Sequence, residues 1–97
     1  MKDPEECANI HEVREEIDII DREVIDALSK RFQYVIAAAR FKTSEAGVRS
    51  SDRFHAMLQQ RREWAKESGL NPDVVENLYR DLVNYYIEEE LKHYKSD

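Results

Sequence analysis

The chain has very few of the residues that make turns. It contains only two glycines and two prolines among 97 residues, and neither type occurs between Glu5 and Ala46. Strands joined by hairpins depend on such residues, so their scarcity argues against a β-rich fold and favours an all-α chain.

Other absences exclude further classes of protein. The single cysteine cannot form an intramolecular disulfide, which is typical of a reducing cytoplasm. No apolar run approaches the roughly 20 residues that span a bilayer, and the N-terminus lacks an apolar signal-peptide core. We therefore expect a cytoplasmic protein with no membrane partner. The net charge of −6 argues against a nucleic-acid partner, which usually requires a basic surface.

The remaining pattern predicts three helices within a single domain of residues 1–97. Asn9 followed by Glu12 is typical of a capping box at a helix N-terminus. Gly69 is typical of the position after a helix, and Pro72 of a first helical position. The predicted helices span about 9–42, 51–68 and 72–94.

The first predicted helix is too long for one compact domain of this size. At about 1.5 Å per residue it spans roughly 50 Å. Its apolar residues recur at steps of three and four and form one stripe. Antiparallel pairing with the first helix of a second copy would bury this stripe, so we expect an obligate homodimer. The stripe consists of Val13, Ile17, Ile20, Val24, Ala27, Leu28, Val35 and Ala38.

Two cations lie on this apolar stripe. Arg31 follows Val24 by seven residues, and Lys42 follows Val35 by seven, so both point along the apolar face. A buried cation is costly without a partner, and the stripe contains no acidic residue. We therefore expect an anionic ligand to pair with them.

Arg14 lies at the edge of the stripe, about 25 Å from Arg31 along the helix. The two arginines of one chain therefore cannot hold the same small molecule. In an antiparallel dimer, Arg14 of one subunit can approach Arg31 and Lys42 of the other, which gives two equivalent shared sites. Arginine suits forked binding of carboxylates and lysine suits a single oxygen, so the expected ligand is a small-molecule dianion.

Glu90 belongs to a run of three glutamates but lies on the apolar face of the third predicted helix. Val83, Tyr86 and Ile87 precede it by seven, four and three residues. A glutamate in an apolar setting tends to stay protonated and to donate a hydrogen bond, whereas nearby cations favour its charged form. Both forms stay open for Glu90.

Several stretches of the chain carry a likeness to a known family. They are VREEIDIIDREVIDALSKRFQYV, AAARFKTSEA, DRFHAML, the W-A-x-E-x-G-L run at residues 64–70 and the Y-I pair at residues 86–87. Together they resemble the helical (AroQ-class) chorismate mutases, and within that class most resemble the isochorismate-pyruvate lyases of salicylate and siderophore biosynthesis. The spacing of Arg14, Arg31 and Lys42 matches the active-site cations of that family.

The resemblance implies an intertwined homodimer with two shared active sites and no cofactor. It implies that Arg14 and Arg31 hold the substrate carboxylates, while Lys42 contacts the ether oxygen of the bond that breaks. Glu90, in its protonated form, is expected to donate to the same oxygen. Both reactions of this family are pericyclic, so catalysis would come from holding the substrate and stabilising charge on the breaking ether.

The resemblance also names positions on the second and third helices. Arg53 and Ile87 are further expected substrate contacts. Phe54 occupies a position at which many true mutases have a glutamate and the lyases have an apolar residue. Phe54 therefore favours an isochorismate-pyruvate lyase that forms salicylate and pyruvate, with weak chorismate mutase activity possible. A chorismate mutase proper, which forms prephenate, is the alternative, and a non-catalytic helical dimerisation module is a more distant one.

The cationic residues also have structural explanations. Arg31 and Lys42 fit side chains that extend to the edge of an interface. Arg14 fits a surface residue paired with Asp18 one turn later. Arg53 equally fits a surface residue of the second helix. For the acidic Glu90, the structural alternative is a solvated residue at a frayed helix end.

Two aromatic residues and the histidines are expected to be structural. Trp64 and Tyr86 are predicted to lie in the core rather than against a ligand. His11, His55 and His93 lack the spacing of metal ligands, so no metal site is expected.

Overall fold

The computed structural model describes residues 2–41 and 51–95, except for the side chains of Ser51, Glu90 and residues 93–95. The described residues contain no strand, which confirms the predicted all-α fold with a long first helix. The predicted loop at residues 43–50 lies outside the described residues. The α-helices are α1 (Ile10–Ala38), α2 (Ser51–Glu67) and α3 (Pro72–Lys95), and two 3-10 helices cover Pro4–Glu6 and Ala39–Phe41.

The predicted boundaries differ from these by a few residues, mainly at the end of α1. The regular helix ends at Ala38, and the chain continues as the 3-10 turn Ala39–Phe41. No described helix is long and apolar enough to cross a membrane. The chain divides into two units, Met1–Gln33 and Tyr34–Asp97.

The start of α1 is fixed by the predicted Asn9 cap and by a segment before it, because the Glu12 carboxylate binds the amide of Ala8 rather than that of the N-cap residue. The Glu12 amide donates to Asn9 Oδ1 at 3.0 Å, and Glu12 Oε2 accepts from the Ala8 amide at 2.6 Å. Lys2 Nζ lies 2.8 Å from Glu12 Oε1. The hydrogen bond from the Ala8 amide, and then the one from Lys2, lowers the pKa of Glu12. The hydrogen bond between Lys2 and Glu12 also raises the pKa of Lys2.

The rest of α1 has an apolar face but contributes no buried residue to a core. No residue between Ile10 and Ala38 is buried, although the helix carries the stripe expected from its periodicity. The large apolar side chains that stay exposed are Ile10, Ile17, Ile19, Ile20, Val24, Ile25 and Tyr34. A helix with this much exposed apolar surface is typical of an interaction surface.

In the second unit, α2 ends and α3 begins with local signals that the sequence contains. Gly69 has a φ of 76°, the left-handed conformation that ends many helices. The Leu70 amide donates to the Ala65 carbonyl at 2.8 Å and the Gly69 amide to the Lys66 carbonyl at 3.2 Å, which is a Schellman motif. Asn71 Oδ1 then caps α3 by accepting from the Asp73 and Val74 amides.

The helix pair α2 and α3 packs together and forms a core, and α3 also contacts the turn Ala39–Phe41. The buried apolar residues are Ala39, Met57, Leu58, Ala65, Tyr86 and Leu91. Tyr86 is therefore a core residue, as predicted. The core position predicted for Trp64 is wrong for the single chain: the residue is 48% exposed, because it lies at the margin of the helix pair, where the Arg61 guanidinium covers its ring.

Candidate functional site

In the unit Met1–Gln33, α1 presents the two arginines that the sequence singled out. Arg14 is exposed and Arg31 is half-buried. Because both lie on one helix, they are about 25 Å apart along its axis. Arg14 forms no ion pair with Asp18 among the described residues; the i,i+4 ion pair on this helix joins Arg22 to Asp26 at 3.2 Å.

In the unit Tyr34–Asp97, Arg53 lies in the first turn of α2 and is exposed. Phe54 follows it and is half-buried, with its ring 5.8 Å from the His55 ring. The guanidinium of Arg80, on α3, lies over the Phe54 ring at 5.7 Å from its centroid. The start of α2 is therefore in contact with the middle of α3.

Ile87 lies on α3 beside the buried Tyr86 and is half-buried. Its position suits an apolar wall rather than a polar contact. The Glu90 side chain and all of Lys42 lie outside the described residues. Among the described residues, no group of three or more His, Cys, Asp or Glu side chains could hold a metal ion.

A chain of ion pairs joins α2 to α3, and the sequence analysis missed it. Glu76 Oε2 accepts from Arg80 Nε at 2.9 Å, while Glu76 Oε1 accepts from Arg62 Nη1 at 3.0 Å. Arg62 Nη1 also lies 2.7 Å from Asp73 Oδ1. The bonds from Arg80 and then Arg62 lower the pKa of Glu76, and those to Asp73 and then Glu76 raise the pKa of Arg62.

The i,i+4 spacing of Glu76 and Arg80 is a signal that sequence inspection can find. The pairing of Arg62 with Glu76 and the contact of Arg80 with Phe54 join distant parts of the chain. Both contacts depend on how α2 packs on α3, so they cannot be predicted from the spacing of residues along one helix.

Near the turn between α2 and α3, the described residues line an open groove of about 240 Å³. The Arg61 guanidinium lies over the Trp64 ring at 4.6 Å and near the Tyr79 ring at 5.7 Å. Leu70 and Leu78 complete its mostly apolar wall. The groove has one cation and no acid–base pair, so it presents apolar surface rather than a site for a dianion.

Comparison with known proteins places these residues in a family. Residues 13–91 match the sequence model of chorismate mutase type II. The chain is 43% identical over 95 residues to an isochorismate pyruvate lyase of Pseudomonas aeruginosa, an alignment that covers 98% of this chain and 94% of that protein. It is also 33% identical over 75 residues to a T-protein of Haemophilus influenzae, covering 76% of this chain but only 20% of that protein.

Proposed function

The chain belongs to the chorismate mutase type II family, and we propose that it is an isochorismate pyruvate lyase that forms salicylate and pyruvate. The observation that carries this proposal is the 43% identity to the Pseudomonas lyase over almost the full length of both proteins. The T-protein, in contrast, is matched over only a fifth of its length, so its likeness supports the family but not a particular reaction.

The proposed reaction is a pericyclic elimination. The ether carbon–oxygen bond between ring and side chain breaks, and a ring hydrogen moves to the terminal carbon of the enolpyruvyl group. Pyruvate leaves with that hydrogen in its methyl group, and the ring becomes the aromatic ring of salicylate. No nucleophile or external proton carrier is needed, so the protein's task is to orient the side chain over the ring and to stabilise charge on the ether oxygen.

The proposed roles of the side chains combine their chemistry with the roles that the family resemblance implies. Arg14 and Arg31 bind the two substrate carboxylates, since a guanidinium can donate two parallel hydrogen bonds to a carboxylate. Lys42 and a protonated Glu90 donate to the ether oxygen. These two groups therefore act on the bond that breaks.

Two residues of the second unit complete the proposed set of contacts. Arg53, which is exposed at the start of α2, contributes to binding the dianion. Ile87 supplies an apolar wall beside the ring.

A second copy of the chain is part of this proposal. Arg14 and Arg31 of one chain are too far apart for one small ligand, whereas antiparallel α1 helices would bring Arg14 of one copy to Arg31 of the other. The exposed apolar side chains of α1 support this pairing. We propose that residues 1–97 form one domain in this homodimer, with two shared sites. The single cysteine supports a cytoplasmic location.

A chorismate mutase proper is the second candidate, because the matching family model is described by that activity. The half-buried aromatic residue Phe54 favours the lyase. A non-catalytic dimerisation module is disfavoured by Arg31, because a purely structural helix face would be expected to carry an apolar residue there.

Turnover of purified protein with isochorismate and with chorismate, in separate reactions, tests the proposal. Fluorescence reports salicylate from the first substrate, and absorbance after acid treatment reports prephenate from the second. If the protein is a lyase, salicylate should form from isochorismate much faster than it does in the absence of protein. Prephenate without salicylate would establish the mutase instead, and turnover of neither would favour the structural module.

A further inference from the structure

The first turn of α2 is held by a contact from a distant part of the chain. The Arg80 guanidinium lies 5.7 Å from the centroid of the Phe54 ring, although the two residues are twenty-six positions apart in the sequence. A cation over an aromatic face is attracted by the negative charge of the ring face. The contact therefore ties the start of α2 to α3.

Arg80 is itself held in place. Its Nε donates to Glu76 Oε2 at 2.9 Å, and the other oxygen of Glu76 accepts from Arg62 at 3.0 Å. Arg62 belongs to α2, so Glu76 bridges both helices. The Arg80 side chain is 42% exposed, and that of Glu76 is 23% exposed. The hydrogen bond leaves the plane of the guanidinium free to lie on the Phe54 ring.

The first turn of a helix has amide groups without intrahelical partners and frays readily. A fixed Phe54 ring reduces this fraying at the position directly after Arg53. We infer that Arg80 is a positioning residue: through the Phe54 ring it fixes the first turn of α2 and hence the direction in which Arg53 reaches the substrate. The role given to Arg53 rests on the proposed function, whereas the contact between Arg80 and Phe54 does not.

A double-mutant cycle tests this inference. The four proteins are the unchanged chain, Phe54→Leu, Arg80→Gln and the double variant. Two kinds of measurement are made: the steady-state constants kcat and KM for isochorismate, and amide hydrogen exchange of residues 55–58 without substrate. In an α-helix these amides donate to the carbonyls of residues 51–54, so their exchange reports opening of the first turn. Arg22→Gln is the matched control, because Arg22 makes the same kind of i,i+4 pair through its Nε, at 3.2 Å from Asp26 Oδ1.

Each single variant is expected to raise KM about two- to five-fold with little change in kcat, as for the loss of one exposed cation–π contact. Exchange of the amides of residues 55–58, which donate to the first-turn carbonyls, should accelerate by a similar factor. The double variant should lose no more than either single variant, because each single change already removes the contact. Arg80→Lys, which keeps a cation near the ring, should recover part of the loss, and Arg22→Gln should match the unchanged chain.

Two results would overturn the inference. One is that the effects of the two single substitutions add in the double variant. The other is that Arg80→Gln leaves both KM and amide exchange unchanged. Circular dichroism of each variant separates these outcomes from unfolding of α3, and Arg80→Lys decides the question if Arg80→Gln does not fold. If the unchanged chain does not convert isochorismate, the proposed function fails, and the exchange cycle still decides whether Arg80 fixes the first turn.

Discussion

The two units of this chain use apolar residues in opposite ways. In the unit Tyr34–Asp97, α2 and α3 pack on each other and bury Met57, Leu58 and Ala65 from one helix and Tyr86 and Leu91 from the other. The helix α1, most of which lies in the unit Met1–Gln33, is also amphipathic, yet none of its residues is buried. The same periodic pattern therefore makes a core in one unit and an exposed apolar surface in the other.

The difference shows that periodicity identifies an apolar face but does not identify what covers it. The apolar faces of α2 and α3 cover each other within one chain, because a short Gly69–Asn71 turn brings α3 back onto α2. The long helix has no such turn. In our proposal a second copy covers it, and the same pairing joins the cations into a site.

The largest expected effect comes from removing a cation from the unit without a core. Arg31→Ala should lower kcat/KM for isochorismate on the order of 1,000-fold, because it leaves a substrate carboxylate unpaired in a desolvated site. Arg14→Ala should have a comparable effect, although its side chain is exposed in the single chain. Arg22→Ala, on the same helix, should change kcat/KM by no more than about 2.3-fold, which corresponds to the usual upper size of surface effects, about 0.5 kcal/mol. Equal activity of Arg31→Ala and Arg22→Ala would contradict the proposed site.

A paired substitution compares the two apolar faces directly. Leu58 is 3% exposed in the core of the helix pair, and Ile20 is 44% exposed on α1. Leu58→Ala should destabilise the protein by about 2–5 kcal/mol. If a second copy covers α1, Ile20→Ala should lower the free energy of unfolding by a similar amount for each chain. If the face stays in water, the loss should be below about 1 kcal/mol. Urea unfolding at a fixed protein concentration distinguishes these cases, and a small cost at Ile20 would count against the dimer.

A smaller effect is expected at the turn that allows the second unit to fold on itself. Gly69 has a φ of 76°, and an added Cβ would have no atom within 4 Å. Backbone strain alone therefore sets the cost, and Gly69→Ala should destabilise by about 1–2 kcal/mol. Gly69→Asn should cost less, because asparagine tolerates this conformation better. Thermal unfolding measures both, and an asparagine variant less stable than the alanine variant would refute the explanation.

The smallest effect concerns the start of α1 and depends on pH. The Ala8 amide and then Lys2 hold the pKa of Glu12 below its ordinary value. The charged form therefore stabilises the fold at neutral pH, and this stabilisation is lost as the pH falls through the lowered pKa. Glu12→Gln should lower the unfolding temperature at pH 7 and much less at pH 3. Exposed Glu15 is the control, and an equal pH dependence for Glu15→Gln would argue against the assigned cause.

Much of the fold follows from local signals in the sequence. The scarcity of glycine and proline, the capping residues Asn9 and Asn71 and the Gly69 stop signal predict three helices close to those observed. Their physical basis is local, because each depends on neighbours within about one helical turn. The exposure of Trp64 was not predictable in the same way, because an apolar periodicity does not distinguish the centre of a helix pair from its margin.

The candidate site was predicted only in part for a similar reason. The positions of Arg14 and Arg31 follow from helical spacing, and the predicted family is confirmed by the match over residues 13–91. The ion-pair chain of Arg62, Glu76 and Arg80 depends on the packing of α2 on α3, which spacing does not describe. The roles of Lys42 and Glu90 stay predictions.

The central claim is that two copies of α1 complete one site, and subunit mixing tests it most directly. Inactive Arg14→Ala and Arg31→Ala proteins are mixed under conditions that allow exchange, which native mass spectrometry verifies. Each heterodimer would then hold one doubly altered site and one intact site, so about one quarter of all sites should regain full activity after random exchange. Recovery of salicylate formation to that level is the predicted result. No recovery despite verified exchange would contradict the shared site.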